Sequence, residues 1–125
     1  MTVRLLNKKE ELDAIKKWLP FSIDKHDLPN HLYAAENENE IVAIAGFRMM
    51  EGPVCFLDSM ASDQSKPSKL RNDALDLLTK TILTMAKSLG FTKIFATTKE
   101  ECIVNRAEKH GFKLMPLFVI SKELV

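Results

Sequence analysis

Glycine, tyrosine, tryptophan and cysteine are scarce in this chain of 125 residues, which has four, one, one and two of them. The two cysteines, Cys55 and Cys102, are too few for a disulfide scaffold and lack the C-x-x-C spacing of a zinc or redox site, so a reducing compartment is expected. No apolar run approaches the ~20 residues needed to cross a bilayer, and the opening MTVRLLNKKEEL has no signal-peptide stretch. A soluble, cytoplasmic protein that does not engage membrane is the expectation. A charge excess of one sign is also missing: 18 Lys plus Arg against 17 Asp plus Glu give +1, which excludes a global field that would draw the molecule onto nucleic acid. With five prolines, few glycines and 46% hydrophobic residues, the chain is neither disordered nor linker-like. Its length suits one domain spanning residues 1–125.

What is present is a clear alternation of element types. Thr2 to Leu6 is a β-prone run, and Asn7 then stands where an N-cap belongs, before a helix over residues 8–19 with Leu12, Ile15, Trp18 and Leu19 at helical spacing. Pro20 stops it, and FSIDKHDLPN is a turn-rich connection with room for a short helix around Ile23 to Asp27. His31 to Glu36 and Ile41 to Met50, separated by polar NENE, read as a hairpin, and Val54 to Met60 as the next antiparallel strand. Leu70, Ala74, Leu77, Leu78, Ile82, Met85 and Leu89 then mark one face of a long helix that begins at Ser68 and that Gly90 stops. FTKIFATT reads as a strand, EECIVNRAEKH as a helix closed by Gly111, and FKLMPLFVIS as a final strand. The order fits an α/β fold of one mixed, mostly antiparallel sheet with helices on both faces.

The segments VCFLDSMASD, QSKPSKLRNDALDLL, AKSLGFTKIFATT and NRAEKHGFKL resemble the core of the GNAT superfamily of acetyl-CoA-dependent N-acetyltransferases, and in element order the resemblance spans nearly the whole chain. It implies that the loop before the long helix holds the CoA pyrophosphate on backbone N–H groups, which glycines normally expose to the anion. Here Pro67 takes the family's basic position, and Ser68, Leu70 and Asn72 take its glycine-like positions. All four glycines of the chain, Gly46, Gly52, Gly90 and Gly111, lie elsewhere. The resemblance also implies that Met60, Ala61 and Ser62 form the strand end that meets the pantetheine, and that the loop and helix start from Lys66 through Asp73 border the cofactor. Gly111 and Phe112 match the family's Gly-Phe, and the position of its usual acid, a tyrosine, falls on Ala107.

Lys66, Lys69 and Arg71 surround that helix start with no acid between them, opposing the helix macrodipole. Either an anion resolves the conflict or the long side chains lie in solvent. Asp58 is an ionisable group in an apolar strand: burial would tune it as a base, whereas a solvated face would leave it structural. His110 could donate a proton, or act as a cation favoured at a helix C-terminus. Glu51 reads as an exposed turn residue. His26 and His31, with Asp24 and Asp27, have no third histidine or cysteine to complete a metal site, and none is expected. Cys55, Cys102 and Trp18 read as packed residues, and Met49, Met50 and Met60 as core fillers or an adaptable pocket lining.

Two functions fit these readings. One is transfer of an acetyl group from acetyl-CoA to a primary amine on a small molecule or protein, with Asp58 and His110 as the candidate acid–base residues. The other is a GNAT-like protein that has lost catalysis and binds a protein partner; the polar loop before the Lys/Arg-rich helix start is similar to that of small GNAT-like bacteriophage products. Nucleic-acid binding is not expected. Between Lys66 and Lys113 ten basic residues face five acidic ones, but helical spacing disperses them and no aromatic ladder accompanies them.

Overall fold

The computed structural model describes residues 1–19, 28–98, 100–116 and 120–124. Its elements are β1 (Thr2–Leu5), α1 (Lys8–Ile15), β2 (His31–Asn37), β3 (Glu40–Met49), β4 (Val54–Ser62), α2 (Ser68–Ser88), β5 (Lys93–Ala96) and α3 (Glu101–Lys109). The strands form one sheet in the order β1-β2-β3-β4-β5. The first three pairings are antiparallel and the last, β4 with β5, is parallel. A parallel neighbour cannot be reached by a tight turn, and α2 supplies the crossover.

Alternation along the strands sorts the apolar side chains onto two faces. Leu32, Ala34 and Ile44 pack with Leu6, Ile15, Leu19 and Leu28 on the α1 face. Ala35, Ala45, Phe47, Cys55 and Leu57 pack with Leu75, Leu78 and Ile82 on the α2 face. Helices thus cover both faces of one α/β sheet.

The helix boundaries follow from local chemistry. The Asn7 side chain accepts from the amides of Lys9 at 3.1 Å and Glu10 at 3.3 Å, satisfying two orphan donors at the start of α1. The expected continuous helix to Leu19 is shorter: after Ile15 the chain tightens into a single 3-10 turn, Lys16–Trp18. At the end of α3, Gly111 adopts φ +89, its amide bonds to Glu108, and the Phe112 amide bonds to Ala107. These two bonds make a Schellman cap, which needs the left-handed conformation that glycine takes without strain.

Three expectations change in detail. β4 continues to Ser62 rather than ending at Met60. The strand expected over FTKIFATT shrinks to Lys93–Ala96. No strand forms at residues 112–116 or 120–124, although Phe112 still packs into the α2-side core. Pro116 has no N–H to offer a ladder, and Leu114 and Ile120 are 77% and 93% exposed. Residues 117–119, and the short helix expected around Ile23 to Asp27, lie outside the described residues. No helix among the described residues is long and apolar enough to cross a membrane.

Candidate functional site

β4 and β5 are paired only from Val54 with Lys93 to Leu57 with Ala96. β4 then runs five residues further, from Asp58 to Ser62, held on its other side by β3. Beyond Leu57 the β5-facing edge of β4 therefore has no strand partner among the described residues. A strand edge of this kind presents N–H and C=O groups that an extended ligand can satisfy.

The same stretch carries a bulge. Gly46 pairs with Asp58 and Ile44 with Ala61, so Ser59 and Met60 together oppose the single residue Ala45. Ser59 takes φ 57, the left-handed conformation that serine adopts only at some cost. The extra residue changes which way the strand's side chains point. Met60 packs into the α2-side core and Ala61 against the α1-side core, the reverse of an unbroken count from Leu57. The bulge sits where the β4–β5 ladder has just stopped.

After Ser62 the chain folds into a tight loop. The Asp63 amide bonds to the Val42 carbonyl, and the Asp63 carboxylate accepts from the Ser65 amide at 2.9 Å and hydroxyl at 2.7 Å. The Ser65 hydroxyl bond holds the Asp63 carboxyl below the usual range. Gln64 donates to the Ser62 hydroxyl and accepts from Arg71 at 3.0 Å, while Arg71 also donates to the Lys66 carbonyl. Pro67 then opens α2 with no side-chain cap and no acid in the first turn. The first-turn amides of Ser68, Lys69 and Leu70 precede the first intrahelical bond, made by Arg71 to Pro67.

The three cations are less isolated than the sequence implies. Lys66 is ion-paired with Glu40 of the β2–β3 hairpin, and Lys69 with Asp73 one turn along α2 at 2.9 Å. Among the described residues only Arg71 of the three has no carboxylate partner. Glu40 lies 26 positions from Lys66, so no local signal could have paired them.

Asp58 is the first β4 residue past the paired stretch. Its carboxylate is ion-paired with Arg48 of β3, and its side chain is 34% exposed. It is therefore neither in a dry apolar pocket nor on a free solvated face. Arg48 is a neighbour that the sequence did not single out.

Comparison of the sequence with protein-family models and with curated proteins gives no match. Comparison of the fold does. An aminoglycoside acetyltransferase from an uncultured soil metagenomic sample, in complex with sisomicin, matches with TM-score 0.71 at 16% identity, covering 99% of this chain and 95% of that one. A Mycobacterium tuberculosis protein in complex with CoA matches with TM-score 0.72 at 14% identity, covering 94% and 76%. A transcriptional regulator from Bacillus halodurans matches with TM-score 0.70 at 15% identity, covering 98% and 99%. The structural neighbours include GNAT acetyltransferases. The chain has the GNAT fold.

Seen as a GNAT fold, the remaining candidates divide clearly. Met60, Ala61 and Ser62 end β4 next to the loop, and Lys66 through Asp73 surround the start of α2, so these residues do share one end of the sheet. His110 does not join Asp58. Its Nε2 lies 3.2 Å from Asp76 of α2, its side chain is 11% exposed, and Arg106 donates to the same carboxylate oxygen at 2.8 Å. Desolvation disfavours the charged form of Asp76, but the hydrogen bonds from His110 and Arg106 outweigh it and hold the carboxyl below its usual range. Tyr33, the single tyrosine, is directed into the core, where its hydroxyl meets the Met85 sulfur at 3.0 Å. Cys55 is buried, which raises its thiol pKa, whereas Cys102 is exposed rather than packed. Asp24, His26 and Asp27 lie outside the described residues.

Proposed function

We propose that this GNAT-fold protein transfers an acetyl group from acetyl-CoA to a primary amine. The observation that carries this reading is the open edge of β4 from Asp58 to Ser62, next to an uncapped helix start. Acetyl-CoA, when bound, supplies the thioester that the amine attacks. In this reading the backbone of Met60, Ala61 and Ser62 pairs with the pantetheine, and donors aimed at the thioester oxygen stabilise the charge that develops there. The amides of Ser68, Lys69 and Leu70, with Arg71, hold the pyrophosphate in place of the glycines the family normally uses. Lys66, Asn72 and Asp73 flank this site.

Asp58 serves as the proton acceptor for the attacking amine, directly or through water, with Arg48 fixing its orientation. His110 is engaged by Asp76 through Nε2, so donation to the leaving sulfur falls to its other ring nitrogen, Nδ1, or needs release of that carboxylate. Positioning of amine and thioester can supply much of the rate without a dedicated acid. The direct test is an acetylation assay with a panel of amines, together with Asp58→Asn. Transfer that falls at least about tenfold in that variant while acetyl-CoA affinity holds supports the reading. Absence of transfer with every amine, and no thermal stabilisation by millimolar acetyl-CoA, sinks it.

A second reading is a non-catalytic binding module. It is favoured by the loop from Ser62 to Arg71, where Gln64 and Arg71 hydrogen-bond to the loop itself, and by the Lys66–Glu40 and Lys69–Asp73 pairs, which use charge that an anion would otherwise meet. Capture of a partner protein without any response to acetyl-CoA identifies that function.

A further inference from the structure

We infer that Glu40, in the β2–β3 hairpin, sets the affinity of the cofactor site by holding the Lys66 ammonium on the hairpin side of the loop, away from the start of α2. The inference rests on the acetyl-transfer reading for the place of the anion, which is the pyrophosphate of CoA. Glu40 itself lies outside that site.

The hairpin presents Glu40 from a fixed backbone. Asn37 pairs with Glu40 across a two-residue turn in which Glu38 and Asn39 both take positive φ, 52 and 65. A turn of this kind matches the twist of the strands it joins. The loop is tied to the same strand, since the Asp63 amide bonds to the Val42 carbonyl at 2.8 Å and the Lys66 amide to the Asp63 carbonyl at 3.1 Å. Lys66 and Glu40 therefore form their ion pair from backbone segments that are already hydrogen-bonded together. An exposed pair is ordinarily weak because two mobile partners must be held in one place, and here the main chain does part of the holding. Glu40, and less strongly Asp63 and Glu38, draw the Lys66 ammonium to that side and raise its pKa above the ordinary lysine value.

At its other end the loop meets the helix start. Lys66 stands two positions before Ser68, whose amide begins the run without an intrahelical partner, and its carbonyl accepts from the Arg71 Nε at 3.0 Å. Lys69 is paired with Asp73 within α2, so of the two paired cations only Lys66 is held by another part of the fold. A lysine is a compact charge on a flexible four-carbon stem, and a phosphate at the helix start would attract it. Binding the anion with Lys66 breaks the Glu40 pair, and binding it without Lys66 forgoes one cation. Either way Glu40 weakens the site.

The test follows CoA binding through the amide shifts of Ser68 to Arg71 in the full chain. Glu40→Gln should bind CoA about threefold or more tighter than the parent protein. Glu38→Gln removes the same charge from an acid with no ion pair among the described residues, and should gain less than about half as much. In a Lys66→Met background, Glu40→Gln should change the affinity by less than about 1.5-fold. Unchanged or weaker binding by Glu40→Gln, an equal gain from Glu38→Gln, or a gain that persists without the Lys66 ammonium overturns the inference. CoA binding by the parent protein with no gain in Glu40→Gln removes this role of Glu40 and leaves the transferase reading standing. Tighter CoA binding by Glu40→Gln without acetylated product from any amine does the reverse. Absence of CoA binding by every variant overturns both.

Discussion

Leu57 and Ala96 are the last partners between β4 and β5, and the next β4 residue, Asp58, already faces an edge with no strand beside it among the described residues. The split arises because the two strands differ in length: β5 has four residues and β4 has nine. The bulge at Ser59 and Met60 adds local twist at the point of separation. Sheet pairing, bulge and loop together build the candidate site from backbone, with few diagnostic side chains.

The bulge rests on one strained residue, so Ser59 is the place to probe it. Ser59→Gly should keep stability or raise it by up to about 1 kcal/mol, whereas Ser59→Val should lower it by roughly 1–2 kcal/mol, because a β-branched side chain resists positive φ. Denaturant midpoints check both.

Gly46 and Pro29 interlock. A Cβ at position 46 would lie 2.3 Å from the Pro29 Cγ and 2.9 Å from the Asp58 carbonyl oxygen. Gly46→Ala should therefore cost roughly 1–3 kcal/mol of stability. Adding Pro29→Ala should restore part of that loss, and a double-mutant cycle reads the coupling.

The Arg4–Glu11 pair should appear as acid sensitivity. The Arg4 hydrogen bonds, at 2.8 and 2.6 Å, hold the Glu11 carboxyl below its ordinary 4.5 despite some desolvation. A depressed folded-state value means that the stabilisation is fully present above about 4.5 and is lost as pH falls through the folded value. Glu11→Gln should flatten the acid limb of the stability curve, measured by denaturant unfolding at stepped pH, and a slope identical to that of the parent protein contradicts the assignment.

Asp76 ties α3 to α2 through Arg106 and His110. Asp76→Ala should destabilise by roughly 1–3 kcal/mol, since it leaves a largely buried guanidinium without its carboxylate. Amide exchange in α3 should rise more than in α2.

These relationships differ in how far the sequence reveals them. Periodicity at Ala74, Leu78 and Ile82, the cap at Asn7 and the stop at Gly111 are local, and each was legible residue by residue. The two extended runs His31 to Glu36 and Ile41 to Met50, split by polar NENE, likewise read as the hairpin that β2 and β3 form. The bulge at Ser59 was not legible, because serine carries no signal for positive φ and the insertion appears only when β3 lies alongside. The Lys66–Glu40 and Arg48–Asp58 pairs depend on contacts across the sheet, so a local count of charges left Lys66 unpartnered. Apolar residues from Phe112 onward satisfy a strand pattern, yet no ladder forms at the described part of that range, residues 112–116 and 120–121, where Pro116 has no N–H to offer one. For the candidate site, the chain stretch was legible from the resemblance, and its departure from the glycine pattern was visible in the count of four.

The most direct measurement of the central claim is an amide spectrum of the protein titrated with CoA to millimolar concentration. If the open edge of β4 is the cofactor site, the largest shifts fall on the amides of Asp58 through Ser62 and on Ser68 through Arg71, and they saturate. No saturable shift, or shifts confined to residues away from β4 and the start of α2, would contradict the account.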